Sequence, residues 1–225
     1  MASTPAYRAL AIGALLLAFT TPALSADTDA VLAFARANEN KFKNEIKETR
    51  GITVGSKVNL QAPWSAIELT GLGLSYDPDS GQVMTNSMIA ILPTLMFSRT
   101  CVNKGSYVGQ NAYGVKMQVT RQTCEAFFAD TDFESRPSLN GISIKMSSSQ
   151  YRTIKESGVT ADFDLVVGPP NSIEVVASAP SLSEPRIDFP FETDGKLWNV
   201  RGRIEEIRWI IPGAAQPVKI WSRTQ

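Results

Sequence analysis

The chain contains no histidine. That absence removes Ser-His-Asp and Cys-His catalytic arrangements, His-ligated zinc, iron or copper, and any general base whose ordinary pKa lies near neutrality. Other catalytic signatures are missing as well: the chain carries no S-x-x-K, no G-x-S-x-G, no G-x-G-x-x-G and no P-loop. Its nearest glycine cluster, Gly105, Gly109 and Gly114, has the wrong spacing to cradle a phosphate. Net charge is absent too, with 22 Lys+Arg against 22 Asp+Glu, so nothing in the composition attracts a nucleic acid or another polyanion over long range. No apolar run reaches the ~18 residues of a membrane-spanning helix. What remains is ordinary globular composition, 43% hydrophobic and 20% charged over 225 residues, enough chain for one substantial core.

Residues 1–25 read as a secretory signal peptide. Arg8 supplies the positive charge, Ala9 to Phe19 the apolar run, and Pro22 the break before Ala23-Leu24-Ser25. Export predicts an oxidising environment, where the only two cysteines, Cys101 and Cys124, pair as a disulfide. The short leader and the absence of N-x-S/T sites favour a bacterial periplasm, with secretion as the alternative.

Residues 26–50 read as an N-terminal amphipathic helix. Asp27 and Asp29 suit its positive end, Lys47 and Arg50 its negative end, and Gly51 stops it. Val31, Phe34, Ala35, Phe42 and Ile46 form its apolar stripe, and Glu39 with Lys43 an i,i+4 pair. From Gly51 to the end the pattern alternates, which predicts a single all-β domain over 51–225. Ile67 and Leu69 change parity against Leu72, Leu74 and Tyr76, so a bulge is expected at Gly71. Asp77-Pro78-Asp79-Ser80-Gly81 is a tight turn leading into a strand from Gln82 to Leu92. Clean alternation follows in Ile142–Met146, Val159–Val167, Ile173–Ala177 and Ile187–Phe191, while Ser148 to Ser157 suits one or two helical turns. Gly168-Pro169-Pro170-Asn171 and Thr193-Asp194-Gly195-Lys196 read as hairpin connections. The fold expected is mainly β, a β-sandwich or closed antiparallel barrel of about ten strands preceded by one N-terminal α-helix.

Acidic residues two apart recur, and on a strand each pair shares a face. Asp77 and Asp79, with Gly81, match the opening of some calcium loops and are a weak calcium candidate, although turn chemistry explains them equally. Asp162 and Asp164 are expected on a solvated strand face opposite Phe163. Trp198, Trp209 and Trp221 recur at near-regular spacing; a buried core layer is favoured over an exposed aromatic row. No cofactor is called for.

The stretch closed by the two cysteines combines Gly105, Gly109 and Gly114 with Tyr107, Asn111 and Tyr113, a mixture suited to adaptable recognition. A disulfide needs Cα atoms within about 7 Å. Nineteen residues of extended chain from Gly105 to Cys124 reach roughly 60 Å. A turn at Asn103-Lys104-Gly105 alone therefore cannot close the loop, and the chain must reverse near Asn111-Ala112-Tyr113-Gly114, placing Cys101 opposite Cys124. Tyr107, Asn111 and Tyr113 are the candidate binding residues. Together these readings predict an exported soluble envelope protein that binds a small ligand or another envelope component. A carboxylate-only, glycosidase-like hydrolase and a small outer-membrane β-barrel are the alternatives.

Overall fold

The computed structural model describes residues 26–39, 41, 45–86, 95–110, 113–131, 136–168, 173–183, 185–186 and 190–223. The signal-peptide reading and Asn111 lie outside them, as do Phe42, Lys43, most of 86–92, and Ile187 and Phe189. The first helix, α1, spans Ala26–Ala37 and is shorter than the pattern predicts. Its end is set by Asn38, which is buried and uses both ends of its amide: Nδ2 donates to the Phe34 and Lys47 carbonyls, and Oδ1 accepts from the Lys47 N–H. A side chain that satisfies both the last turn and a returning segment stops the helix before Gly51 can. Val31, Phe34 and Ala35 are fully buried, so α1 is part of the core. Glu39 meets Lys196 in space.

The strands are β1 (Lys57–Trp64), β2 (Leu74–Asp77), β3 (Gln82–Thr85), β4 (Met96–Gln110), β5 (Lys116–Asp130), β6 (Ser143–Lys145), β7 (Val159–Val167), β8 (Ile173–Ser183), β9 (Phe191–Ile210) and β10 (Val218–Ser222). One sheet runs β1-β7-β9-β5-β4, with β8 and β10 also paired to β9; a second is β2-β3-β6. The protein is mainly β, but its large sheet is mixed, because β5 pairs with β9 in parallel. Nor is it a closed barrel. The edge strands β1 and β4 come near each other without a ladder between them among the described residues.

β9 organises this sheet. Its first half lies between β5 and β8, its second between β7 and β10. Val167 pairs with Gly202 and Ile173 with Val200, so β7 and β8 run in the same direction along β9. Of the hairpin expected at Gly168–Asn171, Pro169, Pro170 and Asn171 lie outside the described residues. The hairpin expected at Thr193–Lys196 is wrong, since those residues lie inside β9. The glycine that suggested a turn serves a close approach instead: Gly195 has φ +145°, and a Cβ there would stand 1.7 Å from the Cys124 carbonyl oxygen.

Alternation buries Val58, Leu60, Ala62 and Trp64 from β1 and Val159, Ala161, Phe163, Leu165 and Val167 from β7. In β9 the ladder slips past Glu205, and this bulge brings Ile207 and Trp209 to the same face as Trp198, Val200 and Ile204. Trp198 and Trp209 are thus core residues, the first stacked on Phe127 at 5.4 Å and the second edge-on to Trp64 at 6.4 Å, whereas Trp221 is half-buried against the core with Arg223 over its ring.

The parity change near Gly71 has a different cause from the bulge expected there. Residues Ala66–Thr70 form a short helix, α2, opened by a capping box in which Ser65 and Glu68 satisfy each other's backbone N–H groups. Leu69 turns inward and Ile67 outward. An identical device, Ser147 with Gln150, opens α3 (Ser148–Ser157), where helical turns were expected. Apart from these two short helices, the regular structure described after Gly51 is strand.

Candidate functional site

β4 and β5 form a long hairpin whose register sets Cys101 against Cys124, with the sulfurs bonded at 2.01 Å and the Cα atoms 4.1 Å apart. Reversal between Gln110 and Lys116 agrees with the loop-closure argument. Asn103-Lys104-Gly105 is a bulge in β4, not a turn: Gly105 has φ +112° and donates its N–H to Asn103 Oδ1 at 2.7 Å.

The hairpin changes character along its length. Near its base, Phe97, Cys124, Ala126 and Phe127 are buried. Beyond it, residues 99–108 of β4 are exposed without a break. Several of the exposed side chains are apolar, including Val102, Val108 and Val115, and Tyr113 at the turn is 92% exposed. The candidate binding residues thus separate. Tyr113 stands at the tip. Tyr107 lies further down on the sheet face, its ring under the Arg121 guanidinium at 4.6 Å. Arg121 Nε donates to Glu192 of β9 at 2.9 Å. The Tyr107 hydroxyl hydrogen-bonds Glu192, which raises the phenol pKa, while Arg121 first and Tyr107 second lower that of the carboxyl. Three strands are tied together by this triad, and no alternation pattern could have paired Arg121 with Glu192 across a parallel ladder.

Beside the triad is a cavity of about 180 Å³ that Lys104, Asp194 and Glu192 help to line; a second of about 370 Å³ extends toward α1, lined in part by Val102, Lys104, Glu125 and Arg36. Glu125 is held by Arg36 and by Trp198 Nε1, the latter at 2.9 Å, and Arg36 leads in lowering its pKa. Cations and anions alternate along this trough, which suits the mixed surface of a protein more than a single strongly charged ligand.

Two further acidic pairs have structural roles. Asp77 caps its own turn, accepting from the Asp79 N–H at 3.0 Å and the Ser80 hydroxyl at 2.6 Å; those two bonds, the hydroxyl's foremost, lower its pKa. The β2–β3 turn thereby accounts for the calcium candidate Asp77 and Asp79 without a metal. Asp162 and Asp164 are not on a solvated face. Arg208 reaches Asp162 at 2.8 Å, Asp164 at 2.7 Å and Glu206 at 2.6 Å, and Asn59 and Lys57 complete the cluster. Burial acts to raise the Asp164 pKa, but hydrogen bonds from Arg208, Lys57 and Asn59 outweigh it and hold the group at about 2. Each displaced carboxyl, Asp77, Glu125, Asp164 and Glu192, is displaced downward, opposite to what a glycosidase general acid requires.

No family model, no curated protein and no solved structure matches the chain.

Proposed function

We propose that this is an exported, periplasmic binding protein that engages another envelope protein through the outer part of the β4–β5 hairpin. The observation that carries the reading is the uninterrupted exposure of residues 99–108 on a hairpin cross-linked at Cys101–Cys124. An arm that buries so little of itself gains little from the core, and ordering it is entropically costly. A cross-link limits that cost by restricting the unfolded chain, and it presents Val102, Val108 and Tyr113 on a stiffened support. The disulfide also supports export to an oxidising compartment. Lys104 and the adjacent bulge guard the outer edge of β4 against indiscriminate strand pairing, so recognition is assigned to side chains rather than to sheet extension.

The test is affinity capture from an envelope extract with the exported, oxidised protein and with a V108S/Y113S variant. The wild type is expected to recover a discrete partner that the variant loses at an unchanged unfolding midpoint. Equal recovery by both proteins would move the binding surface elsewhere. Release of the protein by osmotic shock checks the periplasmic assignment.

A further inference from the structure

The Cys101–Cys124 bond joins two unlike strands. β4 ends its sheet, with no strand beyond it among the described residues, whereas β5 has β4 on one side and β9 on the other. Cys101 is accordingly exposed, and Cys124 is only 2% exposed. An attacking thiolate displaces one sulfur of a disulfide from the other along the line of the bond, so the two sulfurs are not equivalent targets. Seen from Cys124, this bond runs outward across the hairpin, and an approach to Cys101 Sγ comes from the open edge of the sheet. The opposite approach, to Cys124 Sγ, comes from the side of β9, where the Gly195 backbone packs on that of Cys124.

Charge favours the same direction. Arg99 Nη2 donates to Cys124 Sγ at 3.8 Å. From Met96 to Cys124 the chain carries Arg99, Lys104, Lys116 and Arg121 and no acidic residue. The neighbouring carboxylates belong to the other face of the sheet: alternation turns Glu125 away from Cys124, and Glu192 and Asp194 pair with Arg121 and Thr123, which share the face of Glu125. A thiolate released at Cys124 therefore meets a guanidinium and no carboxylate from β4, β5 or the paired part of β9. Burial by itself disfavours that thiolate, and the adjacent cation offsets the cost.

We infer that this bond is a site of thiol–disulfide exchange, entered at Cys101. An incoming thiolate bonds to Cys101 Sγ, the Cys101–Cys124 bond breaks, and its electron pair leaves on Cys124 Sγ beside Arg99. When the attacking group belongs to a dithiol, its second thiolate then displaces Cys101. The dithiol is oxidised to a disulfide, the cystine is reduced to two cysteines, and the two protons pass between them through solvent. Exchange unfastens the exposed arm reversibly and breaks no other covalent bond. It is a property of the cross-link and does not rest on the partner proposed for the arm.

The experiment treats the full exported, oxidised protein briefly with reduced glutathione, quenches with N-ethylmaleimide and maps both adducts by mass spectrometry. Glutathione is expected on Cys101 and maleimide on Cys124; glutathione on Cys124, or evenly on both, would overturn the inference. Reduction rates are then read with dithiothreitol. R99L should slow reduction roughly threefold or more, and R99K, which keeps the charge, should recover most of the rate. An unchanged rate in folded R99L, checked by circular dichroism melts, would overturn the leaving-group assignment; if R99L does not fold, the adduct map of the wild type decides. A reduced Cys-x-x-Cys protein at the same dithiol concentration distinguishes a protein reductant from a small one by which reacts faster, and resistance to both under native conditions would remove the site. V108S/Y113S should exchange at the wild-type rate, so a failure of partner capture and a failure of this inference are read separately.

Discussion

Arg208 and Arg121 both bridge neighbouring strands through carboxylates, but Arg208 lies behind the packed region of β1, β7, β9 and β10, and Arg121 lies on the outer hairpin. Arg208 is 22% exposed and its partners Asp162 and Asp164 are 11% and 13% exposed, against 60% for Arg121 and 32% for Glu192. Similar bond lengths therefore carry different energies. Water screens the outer pair and solvates either partner if the other is lost. The inner carboxylates have no such recourse. In the packed region sequence patterning and polar pairing enforce one arrangement; in the hairpin the cross-link and turn hold a surface that the core does not require.

The largest way to break the comparison is through glycine. Gly195→Ala would set a Cβ against the Cys124 backbone in the parallel β5–β9 ladder, so the strands must part. A loss of at least about 4 kcal/mol is expected in urea melts, enough to abolish cooperative unfolding in a marginal domain. Gly105→Ala meets open space and bears only the strain of φ +112°, so about 1–2 kcal/mol is expected. Equal effects would show that the hairpin is as tightly packed as the body.

Next comes Arg208→Met, which strands two inner carboxylates and should cost about 3 kcal/mol, while Arg121→Met should leave the melting temperature unchanged. The difference carries a pH signature. Asp164 has a folded pKa of about 2 against an ordinary 3.8. Its contribution is therefore complete above about pH 4 and is lost as pH falls through 4 toward 2, on the order of 1–2 kcal/mol after allowing for screening. Arg208→Met should flatten this limb of the pH–stability curve, and Arg121→Met should retain it.

Why the packed region was partly legible in the sequence, and the polar cluster was not, follows from range. The period-2 pattern of Val159–Val167 reports a buried face through residues adjacent in the chain, and the structure buries all five. The reversal between Gln110 and Lys116 was accessible because the covalent distance of a Cys101–Cys124 bond limits where the chain can turn back. Arg208 reaches Asp162 and Asp164 only because β7 and β9 are neighbours, a fact that no local pattern contains. One misreading was local and avoidable: Ser65-x-x-Glu68 is a capping-box spacing that announces a helix where a bulged strand was expected. A second local signal, the parity change from Ile204 to Ile207 that marks the bulge in β9, carried no expectation. Gly195 misled because a glycine needed for close approach looks, in sequence, like one needed for a turn. For the candidate site, exposure of Tyr113 fits its placement at a reversal, whereas the bonding of Tyr107 to Arg121 and Glu192 depends on the parallel ladder.

The cross-link sharpens the comparison on a smaller scale. Replacing Cys101 and Cys124 together by Ser should lower stability by about 2 kcal/mol. The effect should concentrate in the arm: amide hydrogen exchange should accelerate across Val102–Gln110 and Lys116–Thr123 and stay unchanged across Val159–Val167. Uniform acceleration over both regions would mean that the arm and the body unfold as one unit.

The smallest expected effects distinguish two tyrosines within the hairpin itself. Tyr107 faces Val119 across the β4–β5 ladder, and Val119 is only 1% exposed; the Arg121 guanidinium stacks on the Tyr107 ring. Tyr107→Ser removes that cover and frees Arg121 from one of its two partners, so a small but measurable drop in melting temperature is expected. Tyr113 is 92% exposed at the turn, and Tyr113→Ser should leave the melting temperature unchanged. Differential calorimetry on both single variants, with the disulfide confirmed intact by mass spectrometry, separates these cases. A stability loss for Tyr113→Ser equal to that for Tyr107→Ser would show that the tip side chain supports the fold, and it would remove the strongest reason for assigning it to recognition. An unchanged melting temperature combined with loss of partner capture would place its contribution wholly in binding.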